Sequence, residues 1–264
     1  MPVSVIPDPA KLPECIEFSA QHHLGWEFND FIYPSVLDNE KETARLIELY
    51  HSHDMPRVRS LHGAFLDVTV HSDDPRIRDV SDLRVHQSIQ AASALQCGKV
   101  IFHTGLIPNF RDKAYRDNWV KKNTACWTAK TRQYPGIDLL MENMFDMAPD
   151  LLLRLAQELD GVSGFGICLD YSHATIFGGG QQSADVFVKA LAPYVRHIHL
   201  NDCDLVHDGH LPIGSGLIDW DRFAGLFAEH MHRASILIEV TGLEGQKRSL
   251  DFLLELFARH GITL

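Results

Sequence analysis

Apolar runs typical of β-strands alternate with amphipathic segments typical of helices along the whole chain, and this alternation constrains the fold most. The segments between the runs, such as KETARLIELYHSH and KRSLDFLLELFARH, repeat apolar residues at helical spacing. Such alternation is typical of parallel βαβ units. Eight strand-type runs are present, at residues 3–6, 26–32, 58–65, 99–105, 138–143, 166–172, 195–202 and 235–241.

Eight strands within 264 residues predict an α/β fold of one particular kind, the (β/α)₈ or TIM barrel. An open, doubly wound sheet shows the same alternation, but it needs a glycine-rich phosphate turn after its first strand. Here the first run is followed by PDPAKLPE. Because no linker or low-complexity tract interrupts the pattern, we expect a single barrel domain over residues 1–264.

Composition narrows the class of protein and its partners. No stretch has the roughly 18 apolar residues of a membrane span, and the start MPVSVIPDPAKLPE lacks the features of a secretory signal, so we expect a cytoplasmic protein without a membrane partner. The five cysteines are never spaced as CxxC, which argues against a disulfide framework or a thiolate zinc site. A net charge of −11 disfavours nucleic acid as a partner. A homo-oligomer is compatible with the sequence.

Side chains that can bind a metal or move a proton stand at the ends of several strand-type runs. The carboxyl ends of all strands in such a barrel meet at one face, so these side chains should gather there. Three carboxylates and one imidazole suit Mn²⁺, Co²⁺, Fe²⁺, Zn²⁺ or Mg²⁺, and we predict a divalent metal site. Four consecutive strands supply this set: Glu142, Asp170, His199 and Glu239.

The runs MEN, LDYSHA, HIHLND, DGHLPIGSGLIDW and LIEV resemble those of the xylose isomerase-like TIM barrels. This superfamily includes ketose 3-epimerases, hydroxypyruvate isomerases, inosose and dehydroshikimate dehydratases, and type IV apurinic endonucleases. The resemblance covers residues 58–241. It is strongest toward members described as sugar phosphate isomerase/epimerase, through LHGAFLDVTVHSDDPRIRD and the DGHLPIGSGLIDW loop.

The epimerase branch of this superfamily implies one metal on the four predicted ligands and a proton-transfer pair at Glu142 and Glu239. A metal that bridges the carbonyl and hydroxyl oxygens of a sugar stabilises an ene-diolate, while a carboxylate on either face removes and returns the proton. In that branch His173 contacts a substrate oxygen. The arginine that ketose 3-epimerases carry six residues after the strand-seven histidine is replaced here by Leu205, which leaves open how distal hydroxyls are held.

The endonuclease branch implies a different use of the same face, with nine ligands for three zinc ions. Five residues would join the predicted four as further metal ligands, and in an isomerase they would be substrate contacts: His62, His103, His173, Asp208 and His210. Gripping DNA requires several Lys and Arg on the catalytic face. The loop ATIFGGGQQSAD has none, and GLIPNFRDKAYRDNW has three.

We therefore predict a divalent-metal-dependent isomerase or epimerase that acts on a sugar or sugar phosphate. The alternatives are a zinc-dependent phosphodiesterase acting on abasic DNA and a metal-bound barrel without catalysis.

Several neighbouring residues are given lesser roles. Glu27 at the end of the second run could contact substrate, but we expect it to be a helix cap or loop carboxylate. We expect His197 to be a hydrogen-bonded core residue one layer below His199. Asp202 should orient a histidine or close its turn. Arg111, Lys113 and Arg116 either contact a substrate phosphate or lie in a solvated turn that leads into a helix.

Overall fold

A computed structural model describes residues 2–263 and shows a closed barrel of eight parallel strands in the order β1 to β8. The predicted TIM barrel is confirmed. All eight predicted strands are present, and most are shorter than the apolar runs that predicted them, because the last residues of those runs already belong to loops. The strands are β1 (Val3–Val5), β2 (Gly25–Phe28), β3 (Arg59–His62), β4 (Lys99–His103), β5 (Asp138–Glu142), β6 (Phe165–Asp170), β7 (Val195–Leu200) and β8 (Ser235–Ile238).

Ten α-helices in residues 2–263 surround the strands, together with short 3₁₀ turns at Pro9–Lys11 and Ala192–Tyr194 and a π-helical turn at Phe227–Met231. None of these helices combines the length and apolar character needed to cross a membrane. The α-helices are α1 (Leu12–His22), α2 (Pro34–Leu37), α3 (Glu40–His51), α4 (Pro75–Ala94), α5 (Lys113–Gln133), α6 (Asp150–Glu158), α7 (Tyr171–Ile176), α8 (Gln181–Leu191), α9 (Trp220–Leu226) and α10 (Leu243–Arg259).

Aspartates fix the starts of several helices that follow the carboxyl ends of strands. Asp74 precedes α4 and accepts the Arg76 N–H at 2.8 Å, and Asp112 caps α5 through the Tyr115 N–H at 2.9 Å. A side-chain oxygen at this position satisfies an N–H that the helix itself cannot, which stabilises the helix by about 1 kcal/mol. These caps determine where each loop of the face gives way to a helix.

Apolar packing occupies two separate regions. The main core lies between the strands and the outer helices and buries large aromatic side chains such as Trp26, Trp119 and Trp127. Inside the barrel, a second and much smaller apolar cluster consists of Ile101, Leu140 and Cys168. These side chains lie on the inward face of β4, β5 and β6 and form an apolar floor inside the barrel.

Candidate metal centre

The carboxyl ends of the strands bring all nine predicted site residues to one face of the barrel. His62, His103, Glu142 and Asp170 are the last residues of β3 to β6, and Glu239 directly follows β8. Parallel pairing places neighbours at the same height: His103 is opposite Glu142, and Asp170 is opposite His199. Residues that are far apart in sequence therefore form one group of donors, as predicted.

The central cluster consists of Glu142, Asp170, His199 and Glu239, and one donor atom from each lies within 4.8 Å of the others. The Nδ1 atom of His199 lies 3.3 Å from Glu142 Oε1 and 3.4 Å from Glu239 Oε2. All four side chains are buried. This is the set of four that the sequence predicts as metal ligands.

Asp170 divides its two oxygens between the fold and the cluster. Its Oδ1 accepts the His173 N–H at 2.6 Å and the Ser172 hydroxyl at 2.7 Å, which starts α7. Asn143 holds the Asp170 backbone by accepting its N–H at 3.0 Å and donating to its carbonyl at 2.9 Å. The Oδ2 atom receives only a long contact of 3.5 Å from Asn201. One carboxylate oxygen is thus left for a ligand.

Two further groups of donors adjoin the central cluster. The first flanking cluster consists of His62, His103 and Glu142. Both imidazoles direct Nε2 at Glu142 Oε2, from 3.5 Å for His62 and 3.6 Å for His103. Because Glu142 belongs to this cluster and to the central one, its carboxylate can bridge two cations.

The second flanking cluster consists of His173, Asp208 and His210, with Asp208 in the middle. Its Oδ2 lies 3.2 Å from His173 Nε2, and its Oδ1 lies 3.2 Å from His210 Nε2. The loop that carries Asp208 and His210 is held by an antiparallel bridge between Asp202 and Leu211. This cluster is the more exposed one, since Asp208 and His210 are only partly buried.

Asp202 anchors that loop with its side chain. Its carboxylate accepts hydrogen bonds from three backbone N–H groups and from the Trp220 indole at 2.8 Å. The three backbone donors belong to Cys203, Gly214 and Ile218. Of its two predicted roles, Asp202 therefore closes the loop.

The histidines are oriented by the ring nitrogen that faces away from the clusters. The Nδ1 atoms of His62, His173 and His210 each lie 3.0 Å from a backbone carbonyl, those of Gly63, Asn143 and Glu239 respectively. A carbonyl can only accept, so Nδ1 carries a proton, and Nε2 is the atom that can bind a metal once it is deprotonated. Metal-bound histidines are commonly held in this way.

Several donor atoms of the site are buried and have no hydrogen-bond partner within the protein. They include both carboxylate oxygens of Glu142, Oε2 of Glu239, Nδ1 of His199 and Oδ1 of Asp208. Burying such atoms without a partner is costly, so a cation or ordered water must satisfy them. The donor set therefore fits a divalent metal ion.

The charged side chains of the site shift one another's pKa values. Burial opposes ionisation of Glu142, but the adjacent His199, His62 and His103 lower its pKa well below the usual range. Glu239 is also buried, and His199 and His210 lower its pKa. Burial, opposed by His173 and assisted by the carboxylates of Glu239 and Glu142, raises the pKa of Asp170 to about 7. Both glutamates are thus ionised at neutral pH.

The histidines respond in opposite directions. Burial lowers the pKa of His103 to about 3 despite the neighbouring Glu142. Burial also disfavours the charged form of His173 and His210, but the carboxylates around them raise the pKa of His173 to about 10 and that of His210 to about 9. With no cation in the second flanking cluster, both of these imidazoles carry positive charge at neutral pH.

Cys168 lies directly beneath the central cluster, with its Sγ within 4.8 Å of donor atoms of Glu142 and His199. Burial raises the pKa of this thiol far above the usual range. Cys168 packs with Ile101 and Leu140 in the apolar floor of the barrel.

Glu27 was missed as a site residue. The expectation of a cap or loop carboxylate is wrong, because Glu27 lies within β2, is fully buried and points into the barrel. Its Oε1 is 3.1 Å from His199 Nε2, and its Oε2 is 3.2 Å from His197 Nε2. His197 is the hydrogen-bonded core residue that the sequence predicts. A signal was present, since Glu27 alternates with Trp26 and Phe28, whose side chains pack in the outer core.

Asp146 is a second buried carboxylate that the sequence patterns did not identify. It is fully buried and accepts hydrogen bonds from the Thr104 hydroxyl at 2.8 Å and the Met144 N–H at 3.0 Å. Burial raises its pKa to about 6. It braces the loop after β5 against the loop after β4.

The basic residues after β4 are mostly committed to ion pairs. Lys113 and Arg116 belong to α5, where Lys113 pairs with Asp117 and Arg116 pairs with Asp150. This matches the predicted solvated turn that leads into a helix. Arg111 precedes α5 and borders a cavity of about 370 Å³ that Arg116 also lines.

A smaller cavity of about 250 Å³ opens beside the central cluster. It is lined by residues from the ends of β1, β2, β3 and β8 and from the loop after β7: Ile6, Asn29, Ile32, His62, Phe65, His210, Glu239 and Thr241. No lysine or arginine lines it. The cavity therefore offers apolar surface together with the donors of the site.

The family model of the xylose isomerase-like TIM barrel matches residues 18–263. The chain belongs to this family. An uncharacterised protein of Methanocaldococcus jannaschii is 24% identical over 262 residues, covering 94% of this chain and 85% of that protein. A probable endonuclease 4 of Mycobacterium leprae is 27% identical over 205 residues, covering 74% of this chain and 77% of that protein.

Two solved structures show how general the fold is. A protein from Thermus thermophilus, soaked with ZnCl₂, superposes with a TM-score of 0.77 at 22% identity and covers 98% of this chain and 99% of its own. A D-tagatose 3-epimerase-like protein gives a TM-score of 0.76 at 22% identity, with 98% and 97% covered. Both structures share the barrel fold of this chain over nearly its whole length.

Proposed function

We propose that the protein is a divalent-metal-dependent isomerase or epimerase that acts on a sugar or sugar phosphate. The observation that carries the proposal is the pair of buried carboxylates in the central cluster. Glu142 ends β5 and Glu239 follows β8, three strands further around the barrel, and both reach within 3.4 Å of His199 Nδ1. Two carboxylates that approach one centre from different strands can serve two faces of a bound substrate.

The residues that would hold the metal are those of the central cluster. A divalent cation there supplies the positive charge that stabilises oxygen anions of an ene-diolate. The carboxylate of one glutamate would remove the proton α to the carbonyl, and the other would return a proton to the opposite face after first taking one from water. Both glutamates are ionised at neutral pH because nearby histidines lower each pKa, which is the form that a base requires.

The cavity beside the cluster supports a small substrate. At about 250 Å³ it lies below the roughly 300–1,000 Å³ typical of sites for drug-sized ligands. His62 and His210 line it together with Glu239, so a sugar seated there would meet imidazole nitrogens and a carboxylate. The flanking histidines then serve as partners for substrate oxygens.

A zinc-dependent phosphodiesterase is the second candidate. The observations that favour it are the two flanking clusters, which could hold a cation on either side of the central one, and the similarity to a probable endonuclease 4. The charge of the face opposes it, because binding of DNA relies on Lys and Arg contacts to phosphates. The segments that follow the eight strands contain thirteen Asp or Glu and only two Lys or Arg, counted over residues 6–11, 29–39, 63–74, 104–112, 143–149, 171–180, 201–219 and 239–242.

Solvent exchange separates the two candidates. Ketoses and ketose phosphates incubated with the metal-loaded protein in D₂O should acquire deuterium at the carbon α to the carbonyl, detected by mass spectrometry and proton NMR. An abasic duplex should stay intact under the same conditions. Cleavage of the duplex without exchange in any sugar would replace the isomerase by the phosphodiesterase. Metal binding with neither activity would indicate a barrel without catalysis.

A further inference from the structure

A series of polar groups in close contact, all buried except the partly buried Lys99, runs through the barrel from its amino-terminal end to the central cluster. Lys99, the first residue of β4, donates from Nζ to Ser235 Oγ at 2.7 Å, and Ser235 Oγ lies 2.7 Å from His197 Nδ1. His197 Nε2 meets Glu27 Oε2 at 3.2 Å, and Glu27 Oε1 meets His199 Nε2 at 3.1 Å. The series therefore ends on a residue of the central cluster.

Glu27 is the most constrained member of this series. It is fully buried, and Oε2 accepts the Ser60 hydroxyl at 2.7 Å in addition to its contact with His197. With those partners on Oε2, the oxygen that faces His199 is Oε1, and His199 Nε2 approaches it at 3.1 Å although the atoms are not aligned as in a straight hydrogen bond. A buried carboxylate of this kind is costly unless several donors compensate it.

The contact decides which nitrogen of His199 can serve a metal. A carboxylate only accepts hydrogen bonds, so when a cation takes Nδ1 of His199 the one remaining ring proton belongs on Nε2, which faces Glu27. In the neutral ring the proton is then absent from Nδ1, the atom that faces Glu142 and Glu239. His62, His173 and His210 are oriented by backbone carbonyls through Nδ1, whereas His199 is oriented through Nε2 by a carboxylate.

We propose that Glu27 is a positioning residue that fixes the ring and the tautomer of His199 so that Nδ1 is available to a cation in the central cluster. Glu27 does not line the cavity beside the central cluster and acts only through His199. The inference rests on the proposed metal centre but not on the reaction that the centre supports.

Glu27→Gln tests the proposal because the amide keeps the shape of the side chain. The amide oxygen can accept hydrogen bonds from only some of the donors that surround the Glu27 carboxylate. The NH₂ group must then face another donor. We expect the affinity for Co²⁺, measured by titration calorimetry, to fall about 10- to 100-fold, the usual effect of losing the partner of a ligating histidine. The visible absorption bands of bound Co²⁺ should also shift, since the ligand field changes when His199 turns.

Two further variants separate positioning from loss of fold. Asp30→Asn alters another largely buried carboxylate just after β2, one bonded to the Tyr50 hydroxyl at 2.6 Å and not to the site, and should leave Co²⁺ affinity unchanged. Glu27→Asp keeps the charge and should recover part of the affinity that Glu27→Gln loses. Equal Co²⁺ affinity and spectra for wild type and Glu27→Gln would overturn the proposal. A wild-type protein that binds no Co²⁺ would instead overturn the metal centre itself.

Discussion

Zinc binding at the second flanking cluster should release about two protons at pH 7. Without a cation, the surrounding carboxylates hold the pKa of His173 at about 10 and that of His210 at about 9. Both values lie two or more above pH 7, so each imidazole is at least about 99% protonated before metal binds. A metal ligand must be deprotonated, and Asp208 has no proton to lose because the two imidazoles lower its pKa far below the usual range.

The pH dependence follows from the same values. Below pH 8 each of the two released protons contributes a tenfold change in apparent affinity per pH unit, so the affinity of this cluster should rise about 100-fold per unit. The slope should decrease as the pH passes about 9, where His210 loses its proton, and should vanish above about 10. The sign is fixed, because a raised histidine pKa makes protons stronger competitors of the metal at low pH.

Titration calorimetry in buffers of different ionisation enthalpy measures the number of protons directly. Other groups of the site also release protons, so the informative quantity is the difference between wild type and His210→Gln, which should lose one bound Zn²⁺ and about two released protons. His51→Gln changes an exposed histidine outside the site and should match wild type. Loss of one bound Zn²⁺ in His210→Gln without a change in proton release, or a Zn²⁺ affinity of this cluster that does not change between pH 6 and 8, would refute the reasoning.

Two further predictions concern proton transfer and loop stability. At saturating metal, Glu142→Gln and Glu239→Gln should each lower turnover at least about 10²-fold, since an amide cannot take a proton; near-normal rates in either variant would remove that residue from the role. Asp202→Ala leaves four donors without their acceptor, including the buried Trp220 indole, and should lower the free energy of unfolding in urea by about 3 kcal/mol or more, at about 1–3 kcal/mol per unsatisfied group. The exposed Asp204→Ala serves as its control, and equal unfolding midpoints would contradict the anchoring role.

The sequence is sufficient to predict the barrel and most of its site, for a geometric reason. Parallel strands of a closed barrel all end at one face, so residues such as Glu142 and His199 need no known contact to be placed together. Local patterns locate each strand end to within a few residues. In the structure all nine predicted residues lie in the central cluster and the two flanking clusters at this face.

Glu27 shows where such reasoning fails. The apolar run at 26–32 suggests a long strand, but β2 ends at Phe28 and places Glu27 one residue before the end. Its role depends on His197 and His199, about 170 residues away, and on the angle at which β2 and β7 face each other across the barrel. An ion pair inside the barrel leaves no characteristic motif in the sequence. The one indication was that Glu27 lies on the face of β2 opposite to Trp26 and Phe28 and therefore points inward.

The number of cations that the site binds decides what the flanking histidines do. If the second flanking cluster binds no metal, His173 and His210 remain imidazolium at neutral pH, because the carboxylates around them raise each pKa. Two positive rings beside the central cluster could then donate hydrogen bonds to the oxygens of a sugar or to the oxyanion formed during proton transfer. If the cluster binds zinc, both rings become neutral ligands and the positive charge is that of the ion, as a phosphodiester would require. Proton release is therefore linked to the class of reaction. A protein that exchanges sugar protons should bind its metal in the central cluster, and it should not release the two protons that zinc binding at the second flanking cluster would displace.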